Sequence, residues 1–352
     1  MPCPKPEPEK DLVRVNQDKR ASTKQTDAPP VNRTPKGPGP WKTVTEQVRG
    51  GASVLVYFFN TCFWTPPLVA VSLAKLGIPL KFWRKACTRL LNAMAENWIW
   101  LNNLDMRLTK RIKWQVSGLE GLTKDKWYLV LANHQSWVDI LVLQKVFYKK
   151  IPLLKFFLKK ELIWVPLLGM CWWALDFPFM KRYSKAYLEK HPHLKGKDFL
   201  ITKKACRKFK TTPVSVMNFV EGTRRTLEKH QRQASPYANL LRPKAGGVAH
   251  VLGSMGQSMD RILDVTIHYP QGVKSFWAFL CGKVDEVCVQ VKQIPVTTDL
   301  LGDYTWDQEY KDRLHDWINS LWREKDTRLT FLLDSAKQGV LTNNCIDTAP
   351  VE

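Results

Sequence analysis

Leu129-Val-Leu-Ala-Asn133-His134-Gln-Ser136-Trp-Val-Asp139-Ile140 is the stretch on which the reading of this chain turns. The run Trp127 to Ala132 is bulky, uncharged and of strand length, and loop and helix-start residues follow it, which predicts His134 at the carboxyl end of a buried strand. His134 and Asp139 are spaced too far apart to be neighbours on one continuous helix, so the pair makes sense only across a bend. With Ser136 as N-cap, Asp139 falls in the first helical turn and reaches back to the imidazole. A carboxylate there fixes the ring tautomer and supports the charge that forms when the other nitrogen takes a proton. That is what a general base acting on a hydroxyl requires. The alternative is an aspartate that only complements the helix dipole, beside an ordinary loop histidine.

A second stretch weighs on that choice. Val214-Ser-Val-Met-Asn218-Phe219-Val220 alternates like a strand and breaks into Glu221-Gly222-Thr223-Arg224-Arg225, setting charges of both signs beside a flexible glycine. A turn at Gly222 brings backbone amides close to an anion, and Arg224 offers a planar fork suited to phosphate or carboxylate. A solvated turn after an edge strand is the bland reading of this tetrapeptide by itself.

Taken together, the two stretches resemble the glycerolipid acyltransferase family, the PlsC-like or 1-acylglycerol-3-phosphate acyltransferase group, whose hallmarks are NHxxxxD and FPEGTR. Asn133, His134 and Asp139 match the first block. Phe219, Glu221, Gly222, Thr223 and Arg224 match the second, with Val220 in place of the usual proline. Two weaker blocks also fit: Asp176-Phe-Pro-Phe-Met-Lys181-Arg182, and Leu241-Arg242-Pro243-Lys244-Ala-Gly246-Gly247. The wording looks closest to the YihG-type bacterial membrane acyltransferases, and the resemblance covers about residues 54–301.

The resemblance implies an α/β fold with a mixed, largely parallel sheet flanked by helices. It implies His134 and Asp139 as the catalytic pair, with Asn133, Arg182, Glu221, Gly222, Thr223 and Arg224 at the substrate. Arg182 and Arg224 hold the acceptor's phosphate, Glu221 binds the acceptor or braces an arginine, and amides near Gly222 meet anionic charge. No cofactor is implied beyond acyl-CoA or acyl carrier protein as co-substrate. A thioester is already activated, so no serine or cysteine nucleophile is required, and neither block contains a cysteine.

Working outward, a formal charge of +22 over 352 residues points to an anionic partner: phospholipid membrane, phosphorylated substrate or nucleic acid. The basic residues are spread along the chain without zinc, helix-turn-helix or aromatic RNA motifs, so no nucleic acid is expected. The rival reading is a basic membrane- or nucleic-acid-binding protein without catalysis. No P-loop, GxGxxG or GxSxG is present, which removes the usual markers of nucleotide hydrolysis, hydride transfer and acyl-enzyme hydrolases. The eight cysteines form no CxxC and no zinc spacing with histidine, and reduced thiols are expected.

Residues 1–48 are rich in Pro, Lys, Asp and Thr and poor in aliphatics, a tail. From Gly50 to Ala74 no residue is charged, and Arg49 and Lys75, Lys81, Arg84 and Lys85 frame the segment like interfacial anchors. Pro66-Pro67 predicts either a bent span or a hairpin that dips in and returns. Residues 49–111 are therefore assigned as a membrane-anchoring helical segment on an anionic phospholipid membrane, with 81–113 amphipathic. The heavier positive charge after the segment favours a catalytic domain on the cytoplasmic side, and the resemblance to bacterial membrane acyltransferases implies the bacterial inner membrane. Residues 112–330 form the acyltransferase domain and 331–352 a tail. Within the domain, strands are expected over Ile112–Val116, Ile262–Tyr269, Phe276–Cys281 and Val284–Val291, an exposed loop over Arg232–Pro243, and a final helix over Trp306–Lys325.

Overall fold

The computed structural model describes residues 40–180, 212–304 and 306–337, with the single positions 190, 202, 204, 206 and 209. Two long helices come first, α1 over Pro40–Gly77 and α2 over Lys81–Thr109. The proline pair lies inside α1, which is assigned as one helix through both, so the hairpin is made by α1 and α2 rather than within α1. Polar groups bind the two together. Asn60 Nδ2 donates to Asn102 Oδ1 and to the Trp98 carbonyl, both at 2.9 Å, and Trp98 Nε1 donates to Thr61 Oγ1 at 3.2 Å. Near the open end, Lys110 Nζ pairs with Asp105 at 2.7 Å and donates to Ser53 Oγ at 3.0 Å.

Ser53, Asn60, Thr61, Thr65 and Ser72 lie buried, while Leu55, Phe58, Phe59, Phe63, Leu73 and Leu76 on the same helix are each more than half exposed. A helix of a soluble protein buries its large apolar side chains and wets its polar ones. On α1 the arrangement is reversed. Thr43–Gly77 is the one stretch among the described residues long and apolar enough to cross a membrane.

The domain is built on a six-stranded sheet of order β1-β8-β7-β2-β6-β3. In chain order these are β1 (Lys113–Ser117), β2 (Tyr128–Ala132), β3 (Leu154–Phe156), β6 (Ser215–Phe219), β7 (Arg261–His268) and β8 (Glu286–Pro295). Short strands β4 (Leu158–Lys159) and β5 (Phe179–Met180) pair separately. Every neighbour pair in the large sheet is parallel except β7 with β8. Such a sheet is covered on both faces, and β2 obliges with five buried residues in a row. Leu129 and Leu131 face one core together with α6 (Ala245–Met255) and α8 (Gln308–Lys337). Tyr128, Val130 and Ala132 face the other core, with α3 (Val138–Phe147) and α7 (Phe276–Leu280).

The parallel register decides where the chemistry sits. Ala132 on β2 stands opposite Phe219 on β6 and Val265 on β7. All three strands therefore release their following loops at one end of the sheet, the edge at which open α/β sheets bind ligands.

Three expectations are corrected. Phe276–Leu280 is helical, not a strand: an apolar run this short satisfies either period, and the Ser275 side chain caps it by accepting from Ala278 N. The loop over Arg232–Pro243 is not an exposed one, since Tyr237, Leu240 and Leu241 are buried in it. The final helix does not stop at Lys325, and the expected tail from residue 331 begins inside it, because Leu329 and Leu332 continue its buried face.

Candidate active site

The bend predicted between His134 and Asp139 is present. α3 is assigned from Val138, and Ser136 caps the turn that leads into it, its Oγ accepting from Val138 N at 3.3 Å and its carbonyl from Asp139 N at 3.2 Å. Asp139 reaches back from that turn. Its Oδ2 accepts from the backbone N–H of Gln135 at 2.7 Å and of Ser136 at 2.9 Å, and lies 2.9 Å from His134 Nδ1. A carboxylate oxygen can only accept, so the proton of the last bond sits on Nδ1 and the Nε2 lone pair is left for chemistry. Asp139 is fully buried, whereas the His134 side chain keeps 10% of its surface exposed. The acid is shielded and the base reaches out.

Asp139 has another partner that sequence spacing did not reveal. Tyr269, the residue after β7, donates its hydroxyl to Asp139 Oδ1 at 2.6 Å. Burial, and then the Asp139 charge, push that phenol well above its ordinary range, which keeps it a donor. With both oxygens bonded, the carboxylate has one orientation.

The Glu221 turn closes on the same loop. Glu221 is fully buried, its Oε1 accepting from His134 N at 3.0 Å and its Oε2 from Leu241 N at 3.2 Å. Arg225 N donates to the His134 carbonyl at 2.8 Å, and the Phe219 ring stacks on the imidazole with centroids 3.9 Å apart. Gly222 holds a φ of +69°, and a Cβ there would come within 3.3 Å of Lys244 Nζ. Its own N–H is spent on the Phe219 carbonyl at 2.8 Å. Arg224 is exposed and lies over the Trp137 ring at 4.8 Å, at the rim of the histidine loop. Thr223 Oγ1 accepts from Lys229 Nζ at 2.8 Å.

Two further residues change role. Asn133 has no exposed surface and clamps β7: its Nδ2 donates to the Ile267 carbonyl at 2.9 Å and its Oδ1 accepts from Ile267 N at 2.8 Å. It is a strap between strand ends rather than a contact for substrate. Glu221 likewise braces the backbone of the histidine loop, and both its oxygens are committed. Arg182 lies outside the described residues. Among the described residues, no cluster of His, Cys, Asp and Glu has the makings of a metal site.

Comparison with known proteins bears directly on this geometry. A family model described as Acyltransferase matches residues 113–268, the span holding both motif turns and Asn133's partner strand. Over that span the chain resembles the glycerolipid acyltransferases. It is similar to chicken lysocardiolipin acyltransferase 1, at 23% identity over 80% of this chain and 71% of that protein. It is also similar to 1-acyl-sn-glycerol-3-phosphate acyltransferase 3 of Arabidopsis thaliana, at 26% identity over 51% of this chain and 50% of that protein. Among solved structures, the lysophosphatidic acid acyltransferase PlsC of Thermotoga maritima aligns with a TM-score of 0.45 and 17% identity, over 81% of this chain and 98% of that one. The kinship is with the glycerolipid acyltransferases as a whole; none of these matches singles out the YihG-type branch.

In this acyltransferase the brace under His134 is itself titratable. Burial raises the Glu221 carboxyl to about 7, against the pull of the His134 and Leu241 amides and the Lys325 charge, with Asp139 adding to the rise. A folded-state value above the unfolded one means that the folded protein binds the extra proton. That contribution to stability is complete below about pH 4.5 and is lost as pH rises through about 7. The loss amounts to about 3 kcal/mol. Thermal denaturation of the wild type is expected to shift downward between pH 5 and pH 8 by more than that of Glu221→Gln, which has no proton to release. Parallel profiles would show that the buried carboxyl does not titrate in this range.

Proposed function

We propose that the protein transfers a fatty acyl group from an acyl thioester to the free hydroxyl of a lysophospholipid, with 1-acylglycerol-3-phosphate as acceptor and phosphatidic acid as product. The observation that supports this most is the His134–Asp139 bond at 2.9 Å, with the Glu221–Arg225 turn folded against the same loop. His134 Nε2 takes the proton from the acceptor hydroxyl as its oxygen attacks the thioester carbonyl. Asp139, held by Tyr269 and two backbone amides, steadies the imidazolium. The C–O bond forms, the C–S bond breaks, and the proton passes from the imidazolium to the departing thiolate. Arg224, exposed at the rim beside Trp137, takes the acceptor's phosphate. In this reading the amides of Thr223 and Arg224, which follow Gly222 in the same turn, meet the developing negative charge.

The outward face of α1 supports a place at the bilayer. Phe58, Phe59 and Phe63 expose more than half their surface beside buried Ser53, Asn60 and Thr61, which suits lipid outside and polar packing within. With the basic flank after α1, this supports a membrane-bound protein whose catalytic domain lies on the cytoplasmic face.

The test is product analysis of full-length protein in phospholipid vesicles. Lysophosphatidic acid and lysocardiolipin serve as acceptors, the two classes for which relatives are named, each with acyl-CoA and with acyl carrier protein as donor. Phosphatidic acid is the expected product, formed by protein that stays with the vesicles through high-salt and carbonate washes. Formation of no acylated lipid from any pairing would refute the reading, and release by the washes would refute its membrane component.

A further inference from the structure

Between β4 and β5 the chain makes a lobe, residues 160–178, that the acyl-transfer step does not use. A 3₁₀ turn over Lys160–Trp164 leads to α4 (Leu168–Ala174), and the pairing of β4 with β5 closes the neck. A Cβ on Gly169 would fall 2.0 Å from the Ile163 carbonyl oxygen, so the start of α4 presses directly on the backbone of the 3₁₀ turn. The lobe is a compact element, and no residue from Leu162 to Leu175 carries a charge.

Its two faces differ. The inner one is packed: Cys171, Ala174 and Leu175 share a core with Leu68 of α1 and with Leu91 and Ala95 of α2. Thr65 Oγ1 lies 3.1 Å from Cys171 Sγ, and Lys75 pairs with Asp176. The outer face is bare. Trp164 is 84% exposed, and Met170 and Trp173 are open as well. On the helices packed beside it, Leu73 and Leu76 of α1 and Phe82 of α2 are more than half exposed. Single open apolar side chains are ordinary on a protein surface, but three elements that pack on one another and all turn apolar groups outward mark an interaction surface.

The surrounding charge selects the partner. Lys81, Arg84, Lys85 and Arg89 on α2 and Lys159 and Lys160 at the neck are exposed, and Glu161 is the one exposed acid within residues 81–95 and 158–176. A second copy of this chain would bring the same cations against these, on top of a formal charge of +22 per molecule, and like charges oppose that contact. An anionic phospholipid surface offers what both kinds of side chain need. Its phosphates meet the ammonium groups, and the layer just beneath them seats tryptophan rings.

We propose that this lobe is a second membrane contact, made by the catalytic domain itself, with Trp164, Met170 and Trp173 seated at the boundary of headgroups and acyl chains in an anionic bilayer. The proposal deepens the membrane reading given above, which rests on α1, and depends on the protein being membrane-bound. One helix alone leaves the domain free to tilt about it; a contact on a second element fixes the tilt. The lobe is tied to the catalytic loop through stacked rings, Phe177 on Phe156 with centroids 6.4 Å apart, Phe156 on Phe219 at 6.2 Å, and Phe219 on His134.

The experiment uses full-length protein in vesicles of phosphatidylethanolamine and phosphatidylglycerol, with a nitroxide carried by p-acetylphenylalanine in place of Trp164, so that the native cysteines stay unmodified. Trp306, 83% exposed just before α8, gives the matched aqueous site, and Phe59 gives the site on α1. Power saturation reads collision with a water-soluble nickel chelate and with oxygen, which concentrates in the acyl layer. The probe at 164 is expected to meet nickel about fivefold less often than the probe at 306, and oxygen more often, as for a side chain seated ~5–10 Å into the boundary layer. A probe at 164 as open to nickel as the one at 306 overturns the contact. If the probe at 59 is in lipid at the same time, the α1 anchor stands without the lobe; if it too is in water, the membrane reading falls as well. A probe at 164 shielded from both reagents, with dipolar broadening that vanishes when labelled protein is diluted with unlabelled, shows a second copy covering the lobe and also overturns the proposal.

Discussion

His134→Ala is expected to lower kcat for acyl transfer by about a thousandfold or more, at the upper range of general-base contributions and near 4 kcal/mol of transition-state stabilisation. The folded protein should persist, because the loop is held by backbone bonds that alanine retains: His134 N to Glu221 and the His134 carbonyl to Arg225 N. Asp139→Asn is the more informative partner. Oδ2 receives Gln135 N, Ser136 N and His134 Nδ1 together, so an asparagine oxygen placed there keeps all three. Its amide nitrogen then faces the Tyr269 hydroxyl and forces that group from donor to acceptor. Turned the other way, the amide meets two N–H groups and drives the imidazole into the wrong tautomer. Either orientation removes the charge that supports an imidazolium, and a loss of about a hundredfold to ten-thousandfold follows. Because the two side chains act as one device, the double variant should be no slower than His134→Ala alone. Kinetics under acceptor saturation, with retained vesicle binding as the control for folding, decide it. Losses that multiply would separate Asp139 from the histidine's function.

What was legible in the sequence was local. The strand before His134, the bend and the first helical turn with Asp139 all follow from neighbours within a dozen residues, where period and capping chemistry operate. The meeting of that bend with the Glu221 turn was carried by the motif resemblance, and parallel pairing of β2 with β6 supplies its physical cause. Tyr269 had no such signal. It reaches Asp139 only because β7 lies beside β2, a fact of strand order that spacing along the chain does not encode. The same holds for Asn133 and Glu221, whose polar side chains next to a catalytic histidine read as substrate contacts until the strand ends they strap are visible. α1 shows the opposite limit. Its apolar composition was plain, but the inward set of Ser53, Asn60 and Thr61 gains meaning only once α2 is packed against it.

Lys325 gives the second large effect, and it comes from the residue at which sequence reading ended the final helix. Its side chain has no exposed surface. Nζ lies 2.6 Å from Asp264 Oδ1, donates to the Val265 carbonyl at 2.6 Å, and sits 3.4 Å from the Leu131 carbonyl and 4.8 Å from the Trp322 ring centroid. Burial lowers its pKa and Asp264 only partly offsets that, so the ammonium depends on its partner. The converse is stronger. Without Lys325, the fully buried Asp264 retains as cationic neighbour, among the described residues, only Arg328, 3.9 Å away and already donating to Thr266 Oγ1 at 3.1 Å. Lys325→Met is therefore expected to cost about 3–5 kcal/mol in chemical denaturation, the penalty of leaving one member of a buried pair unmatched. Lys325→Met with Asp264→Leu should recover most of that loss, because two apolar side chains no longer leave a charge stranded. Activity need not return with stability. Leu131 near the end of β2 and Val265 within β7 lie on the strands that lead to His134 and Tyr269, and the lysine ties their carbonyls to α8, so a stable double variant with depressed kcat and unchanged acceptor KM would mark Lys325 as a positioning residue for the dyad. A single variant that loses less than about 1 kcal/mol would mean that water or Arg328 already serves Asp264, and the buried pair would lose its claim on the fold.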